Sequence, residues 1–301
     1  MQREYRTPVA LRDGLEASLS VESARRRVDP NRLRRHVAFE RLLLRLAADT
    51  SGGAPRWVLK GGLALELRLG LRARATRDLD LALLEPLGDG RQAHLCLVEA
   101  LAEDVQGDFF TFAVQAPRPL AADRGGRAGW RFPVDARLAG RTFAALRLDV
   151  VARADELAGG TEPFSFPSRL AFARYPPVVT VQAACLTQQA AEKLHALTRP
   201  YEDRPNTRTK DLVDLVLLIE NRLVEPDRLG ERVRTVFAVR ATHELPDDLP
   251  PIPAAWRQDY AALVAGLDVE ATTMDAALER VRALWRSCVV APVGSAPGPT
   301  E

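Results

Sequence analysis

Asp78 and Asp80 stand at alternate positions, and their type and spacing point to metal chemistry. The stretch 78–83 alternates leucine with other residues, a pattern that predicts a β-strand. Side chains at i and i+2 of a strand lie on one face, so both carboxylates can reach one ligand. Carboxylate oxygens suit Mg²⁺, especially where substrate phosphates complete its shell. The alternative is a solvated surface on which both aspartates pair with Arg74 and Arg77.

Asp149 is a third candidate metal ligand. It stands in an otherwise apolar strand predicted over Phe143–Val151, where an unpaired carboxylate would be costly. If this strand lies beside the first one, three carboxylates converge and can bridge two metal ions. Such an arrangement suits in-line phosphoryl or nucleotidyl transfer, with one ion at the attacking oxygen and one at the leaving phosphate.

The segment Lys60-Gly61-Gly62 precedes the acidic pair and suggests phosphate binding. A short strand, 57–59, comes before it and a helix, 63–69, is predicted after it. Glycines at such a junction let the backbone approach a phosphate, and the helix N-terminus offers unpaired N–H groups. A Gly-Gly pair alone is usually only a turn. Its place just before the strand that carries the acidic pair makes the nucleotide-binding interpretation more specific.

Lysine is rare in this chain. Of its 42 basic residues, only Lys60, Lys193 and Lys210 are lysines. A compact ammonium and a planar guanidinium are not interchangeable at tight phosphate sites, so each remaining lysine is a candidate functional residue. Chance survival on the surface is the alternative, and Lys210 is left without an assigned role.

A further polar cluster falls in the second half of the chain. Lys193 stands on a predicted helix, and Thr209 is expected to cap the next helix. That cap would place Asp211 in the first turn and Asp214 one turn later on nearly the same face. In the functional interpretation Lys193 binds nucleotide phosphates and Asp211 is a base or orients the substrate. The alternative is a salt-bridge network between helices.

The order of predicted elements indicates an α+β protein built on a mixed sheet. We expect a sheet domain with an N-terminal helix over 1–160, in which residues 1–28 form an Arg-rich arm or a loosely held helix. A helical domain is expected over 161–290, its first helix at Gln182–Leu197, and a disordered tail over 291–301.

Composition narrows the class of protein. The 301 residues are 47% hydrophobic and 27% charged, which allows one large core or two smaller ones. A net charge of +2 does not by itself predict a nucleic-acid partner. Three scattered cysteines fit a reducing cytoplasm better than a disulfide framework or a zinc site. We find no signal peptide and no apolar run that would span a membrane, and therefore expect a cytoplasmic protein.

Taken in order, these motifs resemble the AbiEii/AbiGii family of toxin nucleotidyltransferases, some members of which act on tRNA. The resemblance covers most of residues 56–222. It rests on Lys60-Gly61-Gly62-Leu63-Ala64-Leu65, Arg77-Asp78-Leu79-Asp80-Leu81, Glu192-Lys193-Leu194-His195-Ala196-Leu197 and Lys210-Asp211-Leu212-Val213-Asp214-Leu215. It implies a polymerase-β-like core, an NTP substrate with Mg²⁺, and a cognate antitoxin encoded nearby.

By position, the resemblance makes Asp78 and Asp80 the metal acids and Asp211 the acid of the helical domain, with Lys60 and Lys193 on the triphosphate. The sequence departs from the family pattern in two places. Leu63 follows the glycines where members usually have a small hydroxyl residue. Members often have Ser or Thr just before the first acid; Thr76 can fill that place, but with Arg77 between.

The expected function is transfer of nucleotides from an NTP to an RNA, with the tRNA 3′ end as acceptor and a block of translation as the result. The Arg-rich segments 25–27 and 32–35 could track phosphates, or could be a solvated helix face. The alternatives are a nucleotidyltransferase acting on a small molecule, as antibiotic-modifying enzymes do, or on a protein, and a non-catalytic binding module of the same fold.

Overall fold

Helices and strands alternate through the first part of the chain, and helices follow. The computed structural model describes residues 5–86, 88–104, 107–120, 129–168, 177–201 and 206–290. The chain forms two units: Met1–Gly70 with Ala75–Ala184, and Leu71–Arg74 with Cys185–Glu301. The expected disordered tail, 291–301, lies outside the described residues.

The first unit contains five of the described helices and ten of the described strands. The helices are α1 (Pro8–Arg26), α2 (Pro30–Ala48), α3 (Gly61–Leu69), α4 (Gly90–Ala102) and α5 (Ala154–Leu157). The strands are β1 (Thr50–Ser51), β2 (Ala54–Pro55), β3 (Trp57–Lys60), β4 (Asp78–Leu83), β5 (Thr111–Val114), β6 (Arg118–Pro119), β7 (Gly129–Leu138), β8 (Arg141–Ala152), β9 (Thr161–Pro167) and β10 (Val178–Ala184).

One mixed sheet organises this unit. Across the described residues its strand order is β5-β7-β8-β4-β3-β10-β9, with β6 paired to β7, while β1 and β2 form a separate hairpin. Strands β4 and β8 are parallel, as are β3 and β10, and the other pairs are antiparallel. The predicted α+β class and mixed sheet are therefore confirmed.

The alternating pattern of β4 sorts its side chains between the two faces of the sheet. Leu79, Leu81 and Leu83 join the main apolar core, together with the buried faces of helices α1, α2 and α4. On the other face, Ala82 packs in a small apolar cluster that includes Leu157 of α5. The aspartates of β4 lie on that second face, because residues two apart share a face.

Helix α1 is more firmly held than the sequence suggested for residues 1–28. Thr7 caps it by accepting the Ala10 N–H at 3.2 Å. Its leucines, Leu11, Leu15 and Leu19, are buried in the main core, because a spacing of four residues aligns them on one face of a helix. Helix α2 follows it, and Asp29 is its N-cap.

The second unit is helical. Its helices are α6 (Leu186–Thr198), α7 (Thr209–Glu220), α8 (Pro226–Arg240), α9 (Trp256–Val264) and α10 (Met274–Trp285), and a π-helical turn follows at Arg286–Val290. No helix among the described residues is both long and apolar enough to cross a membrane.

The sheet unit extends further along the chain than the sequence boundary at residue 160. Strand β9 pairs with β10, and β10 pairs with β3, so the unit continues to Ala184. The segment Gln182–Ala184 was expected to begin a helix and is instead the end of β10. Pairing with β9 and with the distant strand β3 extends the sheet through these residues, and the helix starts only at Leu186.

Candidate active site

Four charged residues form a row across four neighbouring strands of the sheet. Lys60 on β3 is opposite Asp80 on β4, Asp80 is opposite Asp149 on β8, and Asp149 is opposite Arg131 on β7. Residues paired in register point to the same face. The strand that carries Asp149 is therefore the neighbour of the strand with the acidic pair, as the three-carboxylate hypothesis requires.

Gly61 lets Asp80 approach the start of helix α3. Its φ of +67° lies in the region that favours glycine. A Cβ added at this position would overlap the Asp80 carboxylate. The first glycine of the motif thus has a structural reason that the sequence did not show: it accommodates an acid of the proposed site.

The N-terminus of α3 lies beside this acid. Lys60 occupies the N-cap position and is itself 8% exposed. The Lys60 side chain makes no capping hydrogen bond, and the amides of the first turn have no intrahelical partners, so they can receive an anion. Gly62 and Leu63 are both buried, and Leu63 packs in the main core, which accounts for an apolar residue after the glycines.

Asp78 begins strand β4 next to an arginine. It is opposite Arg147 of β8 in register, and the carboxylate lies 2.6 Å from the Arg147 guanidinium. The geometry of this ion pair is not that of a hydrogen bond, and the Asp78 Oδ1 atom is buried. Asp78 is therefore charge-paired through Oδ1 without a hydrogen bond, and its carboxylate has the oxygen chemistry that a hard metal ion prefers.

Asp149 is held by Arg131. The Nε and Nη2 atoms of Arg131 donate hydrogen bonds of 2.7 Å to the two Asp149 oxygens. Among the described residues, no group of three His, Cys, Asp or Glu side chains is arranged to hold a metal ion. Asp78 and Asp80 fit the two-carboxylate pattern by which Mg²⁺ is often bound together with substrate phosphates. A metal-binding role for Asp149 stays a prediction.

Glu66 anchors the segment that leads into β4. Its fully buried carboxylate accepts the Thr76 N–H at 2.9 Å, Arg32 Nε at 2.8 Å and His36 Nε2 at 2.9 Å. Thr76 Oγ1 in turn donates to the Asp78 carbonyl at 3.3 Å. Burial alone would raise the pKa of Glu66, but His36, Arg32 and the Thr76 amide outweigh it and lower the pKa to about 2.

None of the sequence motifs includes this network, but the sequence does contain one indication of it. Glu66 stands in the largely apolar segment 61–69, and Arg32 and His36 are four residues apart on one helix face. Arg32, a candidate for phosphate tracking, is paired with Glu66. Arg34 is similarly paired with Glu16.

In the helical unit, Lys193 lies between two carboxylates. Its Nζ atom is 2.6 Å from Asp214 and 3.2 Å from Asp211. Arg74 donates two hydrogen bonds, of 2.8 and 2.7 Å, to the same Asp214. The network between helices that the sequence left as an alternative is therefore present. The assignment of Lys193 to nucleotide phosphates stays a prediction.

Burial and charge act against each other in this cluster. Burial would lower the pKa of Lys193, but the carboxylates of Asp214 and Asp211 outweigh it and the net shift is upward. Burial would raise the pKa of Asp214, but Lys193 and Arg74 outweigh it and the net shift is downward. Both groups are therefore charged at neutral pH.

Two details of helix α7 bear on the prediction for its first turn. Asp211 lies in that turn, as expected, but Thr209 is not the cap. Arg208 holds the N-cap position and its side chain makes no capping hydrogen bond, while Thr209 is the first residue of the helix and is buried. Lys210 is exposed to solvent.

The comparison with protein families identifies the class of this chain. A model described as the nucleotidyl transferase AbiEii toxin of type IV toxin–antitoxin systems matches residues 41–283. The chain therefore belongs to this family of nucleotidyltransferase toxins, which confirms the resemblance seen in the motifs. A search of the curated proteins found no match.

The solved structures that resemble this chain have low sequence identity and low TM-scores. MenT4, a nucleotidyltransferase toxin from Mycobacterium tuberculosis H37Rv, is 22% identical, with 93% of this chain and 99% of that chain covered and a TM-score of 0.44. A nucleotidyltransferase structure from H. pylori is 17% identical, with coverages of 84% and 88% and a TM-score of 0.39. The Megavirus polyadenylate synthase is 11% identical, with coverages of 88% and 44% and a TM-score of 0.32. At these TM-scores the likeness does not bear on the substrate.

Proposed function

We propose that this chain transfers a nucleotidyl group from an NTP with Mg²⁺ to the 3′ end of an RNA, with tRNA as the acceptor and a block of translation as the result. The observation that supports this most directly is the pair Asp78 and Asp80 on one sheet face, with Asp80 packed against the start of α3. A cytoplasmic location and control by a cognate antitoxin belong to the same proposal.

We assign Asp78 and Asp80 as the protein ligands of Mg²⁺, which when bound would stabilise the charge on the α-phosphate of the NTP as the acceptor hydroxyl attacks it and pyrophosphate leaves. Lys60 lies opposite Asp80 and places a positive charge in the same row. We assign it to the triphosphate, together with the backbone N–H groups of the first turn of α3, at Gly61 and Gly62. These donors are preorganised because strand β3 runs directly into the helix.

In the helical unit we assign Lys193 to a phosphate oxygen and Asp211 to orientation of the substrate. The ammonium group of Lys193 has three donors, and Asp211 and Asp214 accept from it. The same carboxylates keep the amine charged, which is the form that binds phosphate. Asp214 is held by Arg74 and fixes the position of Lys193.

The acceptor is tested by incubating the purified chain with Mg²⁺, each radiolabelled NTP in turn, and separate fractions of total RNA, protein and metabolites. We expect label on RNA of tRNA size, released by a 3′ exonuclease. An Asp80→Asn variant of the same preparation should transfer none. Label on a metabolite or on protein would replace the RNA acceptor with one of the alternatives, and label on nothing would contradict the proposed activity.

A further inference from the structure

Arg131 is a charged residue of the site face that none of the sequence motifs includes. It comes from strand β7 and continues the row formed with Lys60, Asp80 and Asp149, and Arg118 of β6 is opposite it in turn. The side chain is 37% exposed, while the Asp149 carboxylate that it binds is 15% exposed. Both hydrogen bonds measure 2.7 Å, so the pair has the parallel two-bond geometry that arginine forms with carboxylates.

The guanidinium of Arg131 interacts electrostatically with other carboxylates besides Asp149. Its pKa is raised first by the hydrogen bonds to Asp149, against burial, and further by the charges of Asp149, Asp78 and Asp80. All three carboxylates therefore stabilise the same guanidinium. Three carboxylates on one face would repel one another, and a cation among them relieves that repulsion.

We propose that Arg131 is a positioning residue: its guanidinium lies where a metal ion would otherwise bind Asp149. The protein ligands of Mg²⁺ are thereby limited to Asp78 and Asp80. This inference rests on the proposed function, because it concerns the same metal. A metal ion at Asp149 would meet a guanidinium already hydrogen-bonded to both carboxylate oxygens, and the two positive charges would repel each other. The pair of Arg147 with Asp78 is different, because Arg147 approaches the Oδ1 atom without forming a hydrogen bond. Binding of metal by Asp149 would therefore require the pair to open.

Two carboxylates are a sufficient protein contribution for this ion. Mg²⁺ keeps several waters and is commonly bound by one or two carboxylates plus substrate phosphates. With Asp149 engaged, the chain alone should bind the metal weakly, and the phosphates of the NTP should supply the remaining ligands. Arg131 would thus make metal binding depend on nucleotide.

The test is a titration of the full chain with Mn²⁺ in the absence of nucleotide, with free Mn²⁺ followed by electron paramagnetic resonance. We expect Arg131→Gln to bind Mn²⁺ about tenfold more tightly than the unmodified chain, because it releases Asp149 from a charge-assisted pair. The gain should disappear in the double variant Arg131→Gln/Asp149→Asn. Arg137→Gln, an exposed arginine on the same strand, is the matched control and should leave affinity unchanged.

Single variants at the carboxylates separate the two possible ligand sets. Asp149→Asn should change Mn²⁺ affinity by less than about threefold, whereas Asp80→Asn should abolish binding. If Arg131→Gln does not fold, as judged by circular dichroism, Arg131→Lys should still raise affinity by about threefold, because lysine keeps the charge but lacks the two-bond geometry.

Equal losses in Asp149→Asn and Asp80→Asn would overturn the proposal, because Asp149 would then be a ligand in the unmodified chain. Unchanged or weaker Mn²⁺ binding by both Arg131 variants would also overturn it. Nucleotide transfer is measured separately on the unmodified chain. A chain that shows the expected Mn²⁺ pattern but transfers no label would retain this inference about the site and lose the proposed activity.

Discussion

At the scale of single residues, the site depends on close contacts that only particular side chains allow. Gly61 and Asp80 are the clearest case, since a side chain at the first position and the carboxylate at the second compete for one space. The sequence motif identified both residues but assigned the glycine only to phosphate. The contact could not be predicted, because it depends on the antiparallel pairing of β3 with β4.

We expect Gly61→Ala to lower the free energy of unfolding by about 1–3 kcal/mol, because it combines a positive φ with an overlap at Asp80. The rate of nucleotide transfer should fall by more than the loss of folded protein explains, since Asp80 must move. Gly52→Ala is the matched control: Gly52 has a φ of +57°, and a Cβ added there would meet no atom within 4 Å. Urea unfolding and transfer assays on both variants make the comparison. Equal transfer by the two would show that the contact with Asp80 is unimportant.

Lys193 offers a second test at this scale. Lys193→Arg keeps the positive charge, but a larger planar group between Asp211 and Asp214 should displace the contacts that position it. We expect kcat/KM for the NTP to fall by about a hundredfold. Lys210→Arg, at an exposed position of α7, should be neutral. Full activity of Lys193→Arg would reduce its role to that of one ion pair in the helical unit.

At the scale of elements, much of the arrangement followed from sequence patterns. The alternation in β4, the N-cap of α2 and the strand-to-helix junction at Lys60 were all predictable, because local spacing and capping determine them. Strand β10 was not, because its pairing with β3 joins segments far apart in the chain. The Glu66 network was missed for the same reason, since it ties α2 and α3 to the segment before β4.

Glu66 should make the stability of the sheet unit depend on pH. Its pKa is lowered from 4.5 to about 2 in the folded chain, so its stabilising contribution is complete above pH 4.5 and is lost as pH falls towards 2. The contribution is on the order of 3 kcal/mol.

Urea unfolding between pH 7 and pH 3 measures this dependence. Glu66→Gln should lower stability at pH 7 and flatten the decline on acidification. Glu99→Gln, at an exposed position of α4, should retain the decline of the unmodified chain. A decline of the same size in Glu66→Gln would show that other carboxylates cause it.

At the scale of the whole molecule, charge alone does not indicate an RNA partner. The net charge is +2, and several arginines of the N-terminal region are paired: Arg25 with Glu22, Arg32 with Glu66 and Arg34 with Glu16. These pairs favour the solvated or structural interpretation of the Arg-rich segments over a continuous cationic surface. Recognition of the acceptor must then come from local geometry, which the sequence pattern could not specify.

Family membership makes a cellular outcome testable. Induction of this chain without its antitoxin should arrest growth, and sequencing should find tRNA 3′ ends that are lengthened. A terminal hydroxyl that carries extra nucleotides cannot be aminoacylated, so translation should stop. Induction of Asp80→Ala in place of the unmodified chain should leave growth normal. Arrest with unchanged tRNA ends would move the acceptor to another RNA or to a protein.

The most direct measurement of the central claim is nucleotide transfer by the purified chain with and without its acidic pair. The account predicts that label from an NTP reaches RNA, that chelation of divalent metal stops transfer, and that added Mg²⁺ restores it. Asp78→Asn and Asp80→Asn should each be inactive while melting as cooperatively as the unmodified chain, and Asp259→Asn, at an exposed position of α9, should be fully active. Transfer at the unmodified rate by a folded Asp80→Asn variant would contradict the account.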